Sequence, residues 1–206
     1  WNHPLTLLVF FVAMVILATR TAVKRVKKKY KGIYLNTFYS IFLPSFLICT
    51  YTIWQGIPQQ PWFNVATAIP LVGMVLGNSL TGISLALDKF HAELISFKYE
   101  IEDSLSLGAT SFESIKTYFV HALKTGITPI INTMSVVGLV SIPGMMTGNI
   151  LAGADPFLAA KYQFIILVVI LSCCFLCCVA ALFISYRKYF HLPGVPSEAF
   201  IREMMK

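Results

Sequence analysis

Five long stretches almost free of charge interrupt this chain, and they decide what it can fold into. A hydrocarbon core about 30 Å thick takes roughly 20 helical residues to cross, and a backbone in lipid must satisfy its own hydrogen bonds, so each stretch reads as a membrane helix. They cover residues 4–19, 33–55, 63–87, about 127–151 and 161–186. Composition agrees, with 57% of the 206 residues hydrophobic and 12% charged, against roughly a quarter charged in a soluble domain. The fold class expected is all-α, a polytopic transmembrane helical bundle with five visible spans forming one membrane domain over residues 1–206. A secreted module, a nucleic-acid binder and a cytosolic enzyme do not fit this composition.

Charge then orients the bundle. The net charge is +7, and seven of the twelve residues from Arg20 to Lys31 are basic. Beside a membrane helix such a run is the positive-inside signal rather than a nucleic-acid patch. With that loop in the cytoplasm, alternation also places residues 88–125 and the tail after Tyr186 inside. These segments hold 15 of the 16 Lys and Arg residues, Lys161 being the exception. Around the outer connections, 56–62 and 149–160, the charges are Asp155 and Lys161 at the start of the next helix. The first helix then begins outside and the chain opens on Trp1, so about two further helices are expected to precede it in the full-length protein. An integral multi-pass protein is expected, in a bacterial inner membrane or alternatively a plant cell membrane, with lipid as its surroundings.

No catalytic constellation emerges. His91, His121 and His191 are scattered, and there is no Ser–His–Asp set, carboxylate pair or zinc pattern. Cys49, Cys173, Cys174, Cys177 and Cys178 all fall inside apolar runs, so no disulfide framework is expected. Cysteines four apart share a helix face and thiolates favour soft metals. Apolar burial raises thiol pKa and structural metal sites favour turns, so small apolar packing is the preferred reading and no metal site is assigned.

From Asp88 to Thr125 the chain is amphipathic and reads as helix, turn, helix. The break falls at Leu107-Gly108-Ala109-Thr110. Glycine can turn the chain with positive φ, and Thr110 or Ser111 can cap the next helix with Glu113 in its first turn. A helix pair of this kind facing the cytoplasm is what a permease needs if a soluble motor is to push on it.

The segment from Glu102 through Leu107, Gly108, Ala109 and Thr110 resembles the cytoplasmic coupling loop of ATP-binding-cassette (ABC) permeases, where a Glu stands six residues before Gly-Ala and the helix docks in a cleft of the ATPase. That loop usually carries Leu-Pro about a dozen residues after the glycine, where this chain has Val120-His121. Val140-Ser-Ile-Pro-Gly-Met-Met-Thr-Gly and Gly153-Ala-Asp-Pro, with Ser106-Leu-Gly-Ala-Thr upstream and Ser185-Tyr-Arg-Lys downstream, resemble one small permease family over essentially the whole chain. It contains the bacterial Fet iron-export permease and plant membrane subunits linked to aluminium sensitivity. The resemblance implies about seven helices in full-length members, and a permease subunit of an ABC-type exporter, paired as a homodimer. It also implies a separate ATPase subunit that carries ATP and Mg, and this chain has no phosphate-binding Gly-x-x-x-x-Gly-Lys-Ser/Thr loop of its own. The expected role is transport without enzymatic activity in this chain, with iron or a related metal as the exported substrate. An organic substrate, such as a nucleotide sugar or a metal chelate, is the alternative within transport. A membrane scaffold that recruits a soluble partner is the alternative outside it.

The translocation path or gate is expected among Asn78, Asn132, Pro143, Gly144, Met145, Met146 and Gln163. Pro143-Gly144 should break the fourth helix near its outer end, forming either a gate with Met145 and Met146 as soft contacts or a packed re-entrant turn. Gly73 with Gly77, and Gly144 with Gly148, have the small-xxx-small spacing of closely packed helices. Asp155-Pro156 suits an N-cap followed by proline at the first helical position. Lys161 is placed to snorkel to the headgroups. A path for bare iron would be expected to carry acidic or histidine ligands, and none of the five expected spans contains Asp, Glu or His.

Overall fold

A computed structural model describes residues 4–30, 32–56, 65–140, 142–192 and 195–196. Lys31, Ser141, nearly all of the outer connection expected over 56–62, and the tail beyond 196 lie outside the described residues. Seven α-helices make up almost all of it: α1 (Pro4–Arg25), α2 (Ile33–Gly56), α3 (Val65–Ser96), α4 (Lys98–Ser106), α5 (Lys116–Val136), α6 (Gly144–Leu151) and α7 (Pro156–Tyr189). A short antiparallel pair, β1 (Phe190–Leu192) and β2 (Val195–Pro196), follows α7. The chain is a polytopic helical membrane protein. Among the described residues, four helices are long and apolar enough to cross a membrane, over Leu7–Arg25, Ile33–Thr52, Ile69–Ser96 and Pro156–Tyr189.

The fourth expected span is where the structure departs from the apolar runs. Residues 127–151 are not one helix: α5 begins at Lys116 and ends at Val136, and α6 starts afresh at Gly144. Gly138 at φ +83° and Pro143 in extended conformation occupy the break, which starts several residues before the expected Pro143-Gly144 kink. The 88–125 loop is correspondingly smaller. No helix breaker follows Leu87, and burial of Phe90, His91 and Leu94 with a Lys89–Glu93 ion pair of 3.1 Å carries α3 on to Ser96. Only residues 97–115 lie between the two long helices.

α3 is the hub. α1, α2, α7 and α5 all pack on it, and around it α1 packs on α2, α2 on α7 and α7 on α5. Among the described residues α5 and α1 share no comparable packing, so that side of α3 is not covered by them. The tightest crossing joins α3 to α5. A Cβ built on Gly82 would lie 2.9 Å from the carbonyl oxygen of Gly126, and one on Gly126 would lie 2.8 Å from that of Gly82. Cys174 and Cys178 of α7 close over the same crossing, while Cys173 and Cys177 meet the Ser45 hydroxyl of α2 at 3.4 and 3.8 Å. The cysteines therefore pack as small buried groups at the centre of the bundle. The glycine pairs picked out by spacing do not make the crossing. Gly77, Gly144 and Gly148 have nothing within 4 Å of an added Cβ, and Gly73 meets only the end of Met14, because spacing identifies a flat strip on a helix but not the helix that comes to lie on it.

Candidate functional site

The turn after α4 is built by local rules. Leu107 ends the helix and Gly108 follows at φ +92°, a left-handed conformation that costs a residue with a Cβ about 1–2 kcal/mol. Gly108 N–H donates to Leu105 O at 3.0 Å and Ala109 N–H to Ser104 O at 3.1 Å, the double closure of a Schellman motif. Thr110 then opens the next helical segment. Its N–H and hydroxyl donate to the Glu113 carboxylate at 2.8 and 2.6 Å, and Glu113 N–H returns to the Thr110 hydroxyl at 3.4 Å. This is a capping box. Those two donors hold the Glu113 carboxyl below the usual carboxylate range.

Long-range contacts brace the turn. Phe97 stacks on Tyr118 with centroids 5.1 Å apart, and the Tyr118 hydroxyl donates to Glu100 at 2.9 Å. Phe112 meets Phe119 of α5 and Tyr186 of α7 edge to face, and Phe119 in turn meets Phe90 of α3. Ile101 and Ile115 are fully buried. Against this fixed base Leu107 is 90% exposed, Tyr99 is 77% exposed and Gly108 is open to solvent. Glu102, half-buried, pairs with Lys98 at 3.4 Å. Ala109 is half-buried and Thr110 is exposed. Sequence reading located the tip but missed Phe97, Glu100 and Tyr118. Their contacts join residues about five helical turns apart along the chain, where no short motif reports them.

A second feature lies on the open side of α3. Met74 and Leu85 are exposed there, Asn78 and Thr81 are half-buried, and an added Cβ at Gly77 would meet nothing within 4 Å. The Arg25 guanidinium at the end of α1 reaches over this face and donates to the Thr81 hydroxyl at 3.3 Å. On the other edge, His121 of α5 lies 3.6 Å from Glu93 of α3. Thr125, Thr128, Asn132 and Ser135 follow His121 at helical spacing, with Lys124 beside them, and all six are at least partly exposed. The uncovered surfaces of α2 and α7 are different, being made of Tyr34, Leu43, Leu47, Phe164, Ile165 and Phe175 among others. The three Thr and Ser hydroxyls on this stripe each donate to the carbonyl one turn earlier.

The expected path residues therefore fall in three places. Asn78 and Asn132 border the same groove: with Gly82 facing Gly126 in antiparallel helices, Asn132 comes level with the stretch just before Asn78. Pro143, Gly144, Met145 and Met146 open α6, which packs on α7 rather than on α3. Gln163 is buried on the inner side of α7, 4% exposed. At the end of α6, Gly153 at φ +88° repeats the Gly108 closure, with Gly153 N–H to Ile150 O and Ala154 N–H to Asn149 O, both 3.0 Å. The Asp155 carboxylate then accepts from Phe157 N–H at 3.3 Å as the cap of α7, and Lys161 lies 4.7 Å over the Phe157 ring.

Comparison with known proteins gives one consistent family. A model described as an uncharacterised protein family, UPF0014, matches residues 1–190. The chain is 33% identical to the UPF0014 membrane protein slr1647 of Synechocystis over 190 residues, covering 92% of this chain and 73% of that one. It is 34% identical to the UPF0014 membrane protein YjkA of Bacillus subtilis over 192 residues, covering 92% and 74%. It is 31% identical to the probable iron export permease protein FetB of Escherichia coli over 162 residues, covering 77% and 60%. No solved structure matches the chain.

Proposed function

This chain belongs to the UPF0014 family of membrane proteins, and we propose that it is the permease subunit of an ABC exporter, working as a homodimer with two separate ATPase subunits. The carrying observation is the tip at Leu107, an apolar side chain held out in solvent by a turn whose two flanking helices lead straight into α3 and α5. An exposed leucine on a mobile loop would mean little. Here the capping box, the Schellman closure and the aromatic contacts fix its position, as a part that receives force requires. ATP and Mg are held by the partner, and hydrolysis there drives alternating access here. The 31% identity to FetB supports iron or a related metal as the exported material.

The test is to purify the full-length protein from its native membrane in mild detergent and identify what accompanies it, for the wild type, Leu107→Asp and Gly108→Val. An ATPase subunit is expected with the wild type and is strongly depleted from both variants, at unchanged levels of inserted permease. An ATPase retained at wild-type level by both variants overturns the coupling assignment. Its absence from the wild type under every mild condition favours the scaffold reading.

A further inference from the structure

The connection from α1 to α2 is basic, and it is also held in one shape. Val26 and Tyr30 are buried in the bundle, 1% and 5% exposed. Between them Lys27 N–H donates to the Asp88 carboxylate of α3 at 2.9 Å, and the Lys28 carbonyl lies 3.0 Å from Nδ1 of His91 on the same helix. The Tyr30 hydroxyl accepts from the Asn36 amide at 2.8 Å and meets the Ser185 hydroxyl of α7 at 3.3 Å, and Lys188 sits 5.2 Å over its ring. A charge run that only orients a chain in the membrane needs no fixed shape. Here the backbone is tied to α3 and α7 while Lys27 and Lys29 stay exposed.

The end of α1 continues the same charge. Arg20 and Lys24 are exposed one turn apart, on the face that carries Leu17, itself 62% exposed. Like charges at that spacing repel, and among the described residues neither these two nor Lys27 and Lys29 form an ion pair. The carboxylate that touches the loop, Asp88, is already engaged by its backbone, so the counter-charge comes from outside the chain. An exposed apolar residue followed by cations at the end of a spanning helix matches the order of a phospholipid, acyl chain and then phosphate. We infer that the end of α1 and the loop after it bind the headgroups of anionic phospholipids such as phosphatidylglycerol, with Arg20, Lys24, Lys27 and Lys29 meeting the phosphates. A loop that is already fixed loses little conformational freedom on binding. The inference is independent of the permease reading.

Lipid binding tests this directly. The full-length protein in dodecyl maltoside is titrated with dioleoylphosphatidylglycerol or dioleoylphosphatidylcholine, and bound lipid is counted by native mass spectrometry. Phosphatidylglycerol binds in preference to phosphatidylcholine, the preference shrinks as salt is raised, and Lys24→Gln, Lys27→Gln and Lys29→Gln each weaken it about fivefold. Asp88 separates a fixed surface from diffuse attraction. Asp88→Asn and Asp88→Ala remove the same negative charge, but only asparagine keeps an acceptor for Lys27 N–H. Phosphatidylglycerol therefore binds Asp88→Ala more weakly than Asp88→Asn, and equal or tighter binding to Asp88→Ala overturns the inference. So do equal affinities for the two lipids, binding unaltered in all three lysine variants, and displacement of the lipid by an equal concentration of inorganic phosphate. The lysines are exposed and their replacement leaves the bundle folded, so they decide the matter even if Asp88→Ala does not insert. An ATPase lost from the lysine variants with lipid binding unchanged assigns the surface to that partner and overturns the lipid assignment.

Discussion

Gly108 and Gly153 make the same turn twice, once at each end of the bundle. In both, a left-handed glycine closes a helix, an alanine completes the Schellman hydrogen bond, and an oxygen-bearing residue, Thr110 or Asp155, caps the next segment. The Gly-Ala-Thr and Gly-Ala-Asp-Pro strings are therefore instructions for helix reversal. Gly108→Val should cost about 1–2 kcal/mol locally, read as faster hydrogen exchange at Leu107–Ala109 with the exchange of α7 unchanged. Glu113 gives a pH-dependent counterpart. Its carboxyl sits below the ordinary range because Thr110 donates to the ionised form, so its support of the turn is complete at neutral pH and is lost as pH falls through the folded value. Amide protection across Ser111–Ile115, corrected for intrinsic exchange, should fall in acid below the usual glutamate range. Thr110→Ala should lower it at neutral pH and flatten that dependence.

At the scale of elements, the α3–α5 crossing sets the geometry of the groove, and it tolerates no side chain. Gly126→Ala would drive a methyl against the Gly82 carbonyl and should destabilise by about 1–3 kcal/mol, as over-packing does. Gly77→Ala, facing open space, should stay within about 0.5 kcal/mol. Thermal unfolding in one detergent, wild type against both variants, checks the contrast. This crossing was passed over in the sequence, where Gly82 with Ala86 and Ala122 with Gly126 have the small-xxx-small spacing but contain only one glycine each, while of the glycine pairs picked out only Gly73 met a neighbour, the end of Met14. Four spans were legible because uninterrupted apolar residues leave a helix no alternative in lipid. α5 was misplaced for the converse reason: its outward face, from His121 to Ser135, carries hydroxyls, an amide and a lysine, so its true start at Lys116 did not look like membrane. The turn from Leu107 to Glu113 was legible because capping is local, and Asn78 and Asn132 were legible only as polar groups in apolar runs. That they border one groove depends on which helices surround α3, and single-helix periodicity does not contain that.

For the whole molecule, α5 runs back along α3, with Gly82 against Gly126 and Glu93 beside His121, so Gly153 lies towards the opposite end of the bundle from the Leu107 tip, which shares its end with the basic loop at Lys27. Single cysteines introduced at Leu107 and Gly153, in a background with the native cysteines replaced by alanine, should react with a membrane-impermeant maleimide from opposite sides of sealed vesicles. Labelling of both from one side would overturn the arrangement. The described surface is also asymmetric, apolar on the outer faces of α2 and α7 and mixed along α3 and α5, where hydroxyl, amide and basic groups stand among Met74, Leu85 and Ile131. One further consequence follows from the unbroken course of α3 past Leu87. From Gly82 to Ser96 it is a single rod of about 21 Å at 1.5 Å per residue, with no hinge between the end beside the turn and the end wedged against Gly126. In the permease proposed above, a push on the tip would therefore be carried along this rod rather than absorbed, and would tilt α3 about the glycine crossing as a lever tilts about its fulcrum.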